Sequence, residues 1–254
     1  YNGRIGICIY LTNADRSAAS SLLHGTLKDI TALHGNTDLR EGLTGIVLAL
    51  RYLQHKNVFT GNLDLITNET DSLAFRTLAF DNKTDSMSLI ELAQYIYYET
   101  WRLGGVAGID IEGKYLCSEL IKRLTDKLFL AMNSSVLIEP MVYSLDYALP
   151  QVLFALSRVC RCGIYCRRIA KMIDEFAPLI LYKMPILHAN RLLVLWALKK
   201  LLHECKLGND WSDYCKMITD HVSVKRILEE EVNNSIYLEN GASSIYFLLK
   251  DLPE

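Results

Sequence analysis

Apolar residues recur along this chain at intervals of three and four, the spacing of one helix face, with no convincing run of strand-like alternation. The pattern predicts helices over 2–12, 17–33, 40–55, 67–80, 86–103, 112–132, 143–160, 164–182, 187–205, 211–232 and 241–250. Turn-rich stretches separate them: His34-Gly35-Asn36-Thr37-Asp38, Asp81-Asn82-Lys83-Thr84-Asp85, Gly104-Gly105 and Gly208-Asn209-Asp210. Asp110 or Glu112 favours a helix start before the segment ending at 132, and Pro185 pre-sets the turn before the helix carrying Arg191 and Trp196. Counted along the chain, the odd-numbered helices are the more apolar. The even-numbered ones are one-sided, with charges such as Lys114, Glu119, Lys122, Arg123, Asp126 and Lys127.

The apolar helices share an opening. Asn2-Gly3-Arg4-Ile5-Gly6-Ile7, Glu41-Gly42-Leu43-Thr44-Gly45-Ile46 and Asn240-Gly241-Ala242-Ser243-Ser244-Ile245 repeat one pattern, with Leu11, Leu50 and Leu249 four residues beyond each Ile. Two small residues three apart lie on one helix face, where a backbone can press against a neighbour. Looser copies begin at Met87-Ser88, Tyr147-Ala148 and His188-Ala189. The six openings start at 2, 41, 87, 147, 188 and 240, in steps of 39, 46, 60, 41 and 52. Each step is the length of one helix–turn–helix unit. An open solenoid carries polar caps at its ends. Here the first and last openings are apolar and the most regular, so the pattern predicts an all-α, closed or nearly closed α/α toroid. It forms one domain over 1–254, with about six inner helices whose N-terminal ends gather at one mouth.

Bulk chemistry narrows the partners. A chain of 254 residues is long enough for one large core, and its net charge of −2 without an extended basic block argues against nucleic acid. Seven scattered cysteines do not form a disulfide framework and point to a reducing cytoplasm. No apolar run reaches the roughly 18 residues needed to span a bilayer. The first residue is Tyr1 rather than Met, as expected of a trimmed chain from which a signal segment would be lost to view.

The Gly-x-x-Gly-Ile openings at 3–7 and 42–46, recurring at 241–245, resemble the inner-helix motifs of lanthionine synthetase C-like (LanC-like) proteins. The similarity is closest from Gly3 to about Gly61, notably in Gly42-Leu43-Thr44-Gly45-Ile46 followed by Leu50-Arg51-Tyr52-Leu53. The resemblance implies a bacterial α/α toroid with zinc at its mouth, joining peptide cysteine thiols to dehydrated serine or threonine. Zinc is needed there because a free thiol is mostly protonated near pH 7, and metal coordination generates the thiolate. The family takes its ligands from a Trp-Cys-x-Gly and a Cys-His-Gly motif on successive openings. At the matching positions this chain has Ile186 and Leu187, and Glu239-Asn240-Gly241; His188 is one residue away from the expected ligand position. No ligand thiol stands in either place. Zinc is therefore expected of the family but not of this chain, and thioether-forming activity is not expected either.

The polar residues assigned to the same mouth form the candidate pocket: Glu41, Asp146, Tyr147, His188, Asn190, Arg191, Glu239 and Asn240. They read either as a ligand pocket of carboxylates, imidazole and guanidinium, or as helix caps and rim ion pairs. Cys160-x-Cys162-x3-Cys166 lacks a fourth ligand at a convincing spacing and reads as ordinary thiols beside a turn; flanking arginines favour some thiol reactivity. His24, His34, His55, His203 and His221 share no spacing, and Trp101 and Trp196 read as core. Walker A, Gly-x-Ser-x-Gly, His-Glu-x-x-His and Asp-Asp-x-x-Asp motifs do not occur. The expectation is a zinc-less LanC-like protein that binds peptide or assists other proteins in lanthipeptide-like maturation. The alternatives are a toroidal carbohydrate hydrolase or lyase using Asp146, Glu41 and Glu239, whose carboxyl groups would then lie about 5–9.5 Å apart, and a helical-repeat interaction scaffold.

Overall fold

A computed structural model of the protein describes residues 4–27, 39, 42–58, 63–80, 82–105, 111–233 and 241–253. Among them are α1 (Arg4–Ala14), α2 (Arg16–Leu27), α3 (Leu43–His55), α4 (Leu63–Phe80), α5 (Leu89–Gly105) and α6 (Ile111–Ala131). There follow α7 (Ala148–Arg161), α8 (Cys166–Ile180), α9 (His188–Glu204), α10 (Asn209–Asp220), the short α11 (Val224–Arg226) and α12 (Ala242–Asp251). The described residues form no strand, only an isolated bridge between Asn233 and Gly241, so the all-α expectation holds.

Local chemistry sets several boundaries. At the start of α5 the Ser88 amide donates to Glu91 Oε2 at 2.7 Å and the Glu91 amide donates to Ser88 Oγ at 3.2 Å, a reciprocal capping box. The helix expected from 143 starts at Ala148 instead. Pro150 has no N–H to give and fits only a first turn, so the chain before it folds as the Ser144–Tyr147 turn. The helix expected over 211–232 breaks after Asp220; Ser223 recaps the chain at the Arg226 amide, and a π turn over Ile227–Glu231 follows. Two apolar helices end alike. Beyond α3, Asn57 has φ 57° and the Val58 amide bonds Leu53 O; beyond α7, Gly163 has φ 74° and the Ile164 amide bonds Val159 O. Both are left-handed caps closing the last turn.

Packing follows the alternation read from the sequence. α1, α3, α5, α7, α9 and α12 pack each against the next, while α2, α4, α6, α8 and α10 each lie on the preceding odd helix. α9 is buried nearly all round, through Ala189, Asn190, Leu192–Leu195, Ala197, Leu198 and Leu201. α6 buries one stripe, Cys117, Leu120, Ile121, Leu124, Thr125 and Leu128, as an outer helix should. The row of inner helices is curved: residues of α3, second in the row, and of α12, sixth, line the same cavity. Of the small-residue openings, the one at Gly45 shows a close backbone approach, to the chain's own incoming segment rather than to a neighbouring helix. A Cβ on Gly45 would sit 2.0 Å from the Leu39 carbonyl oxygen. In the last copy, Ser244 stands in for Gly and donates to Gly241 O at 2.7 Å.

Candidate functional site

The C-terminal turns of the inner helices converge on a cavity of about 650 Å³, within the range of ordinary ligand pockets. α3 contributes Arg51, Tyr52, His55 and Lys56; α5 contributes Tyr97, Thr100 and Trp101; α7 contributes Phe154, Arg158, Arg161 and the adjoining Cys162. Lys200 and Glu204 of α9 and Asp251 of α12 complete its rim. A shallower depression of about 450 Å³ lies outside, between α9 and α10.

Aromatic rings run in contact along this cavity's wall. His55 meets Trp101 edge-on with centroids 5.9 Å apart, Trp101 meets Tyr97 at 6.3 Å, Tyr97 meets Phe154 at 5.1 Å, and Phe154 meets Trp196 at 4.4 Å. Trp101, packed against the core on one side, and the exposed His55 thus both face the cavity. The Arg158 guanidinium carbon lies 5.2 Å from the Trp101 ring centroid and 5.8 Å from that of Tyr97, a paired cation–π contact. Its Nε is shut off from water and has no hydrogen-bond partner. The Trp101 indole N–H sits close to the Tyr97 hydroxyl but outside hydrogen-bonding geometry. Burial pushes the Tyr97 hydroxyl up, with the neighbouring indole and Arg158 opposing it. Asp251 accepts from Trp196 Nε1 and pairs with Lys200, both at 3.1 Å.

Behind the cavity wall lies a buried charge network that ties α3 to α6. Asp71 accepts from Arg51 Nη2 at 2.7 Å, from Thr67 Oγ1 at 3.1 Å and from the Tyr98 hydroxyl, with Arg102 Nε 3.6 Å away. Arg102 also forks onto both oxygens of Glu99, at 3.0 and 2.9 Å, and the Cys117 thiol donates to the same carboxylate at 3.2 Å. Burial holds Glu99 above the usual carboxylate range, with Arg102 pulling it back. Burial and the adjacent Glu99 push the Cys117 thiol up. Arg51 belongs to both places, its head locked by Asp71 and its side chain on the cavity.

At the opposite end, two carboxylates cover the start of α9. Glu139 accepts from the amides of Ile186 and Leu187 at 2.6 and 2.9 Å and from Asn190 Nδ2 at 2.9 Å. Glu231 accepts from the amides of His188 and Ala189 at 2.9 and 2.7 Å. Three orphan amides of the helix start, and the Ile186 amide just before it, are thereby satisfied, and the negative charge complements the helix dipole. Of the candidate pocket, Asn190, His188 and Arg191 come together here. Arg191 brackets the site by donating to Pro185 O at 2.7 Å and His221 O at 2.8 Å. His188 Nδ1 lies within reach of the His221 carbonyl and of the Ser223 amide, which require opposite protonation of that one atom. Tyr147 is buried, and burial together with Glu139 and Tyr214 pushes its hydroxyl up. Asp146 is exposed in the preceding turn, and Glu41, Glu239 and Asn240 lie outside the described residues.

Cys205 joins the cysteines expected near the α7–α8 turn: the Cys166 thiol donates to Cys160 O and the Cys205 thiol to Cys166 O, each at 3.4 Å. Burial, then the neighbouring thiols, push Cys160 up, so it stays protonated. Among the described residues no group of three or more His, Cys, Asp or Glu is arranged to hold a metal ion, and no helix is long and apolar enough to cross a membrane. Comparison with family models, with curated proteins and with solved structures finds no match.

Sequence reasoning missed the cavity residues Arg158, Trp101 and Tyr97, the network residues Asp71 and Glu99, and the capping pair Glu139 and Glu231. Part of the signal was present. Arg51 and Glu99 interrupt otherwise apolar inner-helix faces, where a charge needs a buried partner.

Proposed function

We propose that this chain is a zinc-less LanC-like toroid that binds a peptide in the cavity at the C-terminal ends of its inner helices, as an accessory component of ribosomal peptide maturation. The observation that carries the reading is the convergence of five inner-helix ends on one cavity walled by aromatic rings and cations. Rings and planar guanidinium groups suit a peptide, since they combine apolar contact area with donors for carbonyl and carboxylate oxygens. The order of inner-helix packing and the curvature of the row support the ring. The start of α9, where the resemblance puts one zinc motif, is occupied by two carboxylates whose oxygens are engaged by amides and Asn190. Those carboxylates are held as caps, so they give no support to glycoside chemistry.

Metal analysis and calorimetry on protein purified without chelator test the proposal. The expected result is sub-stoichiometric zinc with saturable binding of short aromatic-containing peptides. Stoichiometric, tightly held zinc overturns the zinc-less part; no heat from acidic, neutral or basic peptides overturns the binding part.

A further inference from the structure

We infer that the cavity contains a carboxylate subsite centred on Arg158, so that the peptide it selects carries an acidic side chain or a free C-terminus beside an aromatic residue. This rests on the peptide-binding reading above and adds the chemical class of the ligand.

The five cations on the cavity wall differ in what they already hold, and two of them, Lys56 and Arg161, are exposed to water. Arg51 is engaged by Asp71 at 2.7 Å and Lys200 by Asp251 at 3.1 Å. Arg158 has neither an ion pair nor a side-chain hydrogen bond among the described residues, and its Nε is closed off from water. The Tyr97 and Trp101 faces stack against this half-buried guanidinium, but a ring offers no acceptor to the N–H groups. The plainer account is a last-turn arginine serving its own helix end. It does not fit the geometry, because the guanidinium lies over rings of α5 while the α7 carbonyls of Arg158, Val159 and Cys160 are met by backbone amides.

Magnitudes choose the anion. The described cavity lining holds five Lys or Arg side chains and two carboxylates, Glu204 and Asp251. Asp71 offsets Arg51 as well, and five helix C-termini at about −0.5 charge apiece cancel the remainder, so attraction for an anion is local to the unpaired guanidinium. One carboxylate answers that single guanidinium, whereas a phosphate dianion brings a second charge with no local partner. A carboxylate also matches the two Nη groups at the planar end of the guanidinium with two parallel hydrogen bonds. Phe154 and Tyr97, 5.1 Å apart, supply the apolar wall for the neighbouring aromatic residue.

The test is calorimetric titration at pH 7 with Ac-Ala-Phe-Xaa-Ala-NH2, where Xaa is Glu, Gln or Lys, and with Ac-Ala-Phe-Gln-Ala-OH. A carboxylate peptide should bind about tenfold tighter than the neutral amide, and the Lys peptide weakest. Whichever of the two acids gains more identifies side chain or terminus as the source. Arg158→Gln should abolish the preference, while Arg158→Lys keeps part of it, both checked for an unchanged melting transition. Equal binding of the Glu, Gln and terminal-acid peptides, or a preference that survives in Arg158→Gln, overturns the subsite and leaves peptide binding standing. Absence of binding by all four peptides overturns both.

Discussion

At the start of α9 two carboxylates are taken up by four backbone amides, whereas at the finish of the inner helices an arginine stands over two aromatic rings without an acceptor. One electrostatic rule places acid at the first end and base at the second, since the helix dipole favours each there. The difference lies in saturation. Glu139 and Glu231 are matched by donors from the chain, so the charges at that end are met as folded, although the buried Asn190 Oδ1 has no partner. The other end keeps a cavity, an arginine without an ion pair and ring faces, and those are what a ligand can use. Polar character alone therefore does not mark a site.

The largest effect separating the two ends should come from Asp71→Ala. It leaves Arg51, Arg102 and Tyr98 facing a buried gap, and losing one partner of such a network costs about 3–5 kcal/mol. Urea unfolding should register that loss, and peptide binding should weaken with it because Arg51 is part of the cavity wall; an unchanged midpoint would show that the network does not brace this end. Next in size is a pH effect from Glu99. Its folded carboxyl is held above the usual value, so the native chain binds this proton more tightly than the unfolded chain. The associated stability is complete below the unfolded value near 4.3 and is lost as pH rises through the folded value, with a slope of at most about 1.4 kcal/mol per pH unit. Unfolding curves across that window should lose this component in Glu99→Gln, and an identical pH dependence in both proteins would contradict the assignment. Glu139→Gln should be smallest, costing about 1 kcal/mol through a weakened cap. Peptide affinity should stay within about twofold; a larger drop would place the ligand at the wrong end.

Much of the architecture was legible in the sequence because helix faces are local. The odd and even helices, their order of packing and the starts of α3, α7, α9 and α12 all lie within a few residues of the positions read from the openings. Pro150 and Ser223 moved two boundaries through turn chemistry that apolar spacing does not register. The candidate site was harder to read. The repeated opening marks where helices begin, so it drew attention to the mouth at His188, while the cavity forms where the helices end. Arg158 in a last turn resembles any dipole-matching cation until the rings beneath it are known. Asp71 and Tyr98 are 27 residues apart, and no spacing rule links them.

Backbone hydrogen exchange with and without saturating Ac-Ala-Phe-Glu-Ala-NH2 tests most directly which end binds. Slowed exchange over 51–56, 97–104 and 154–163, with 186–191 unchanged, is the result this account predicts. Slowed exchange at 186–191 with the three helix ends unchanged would contradict it.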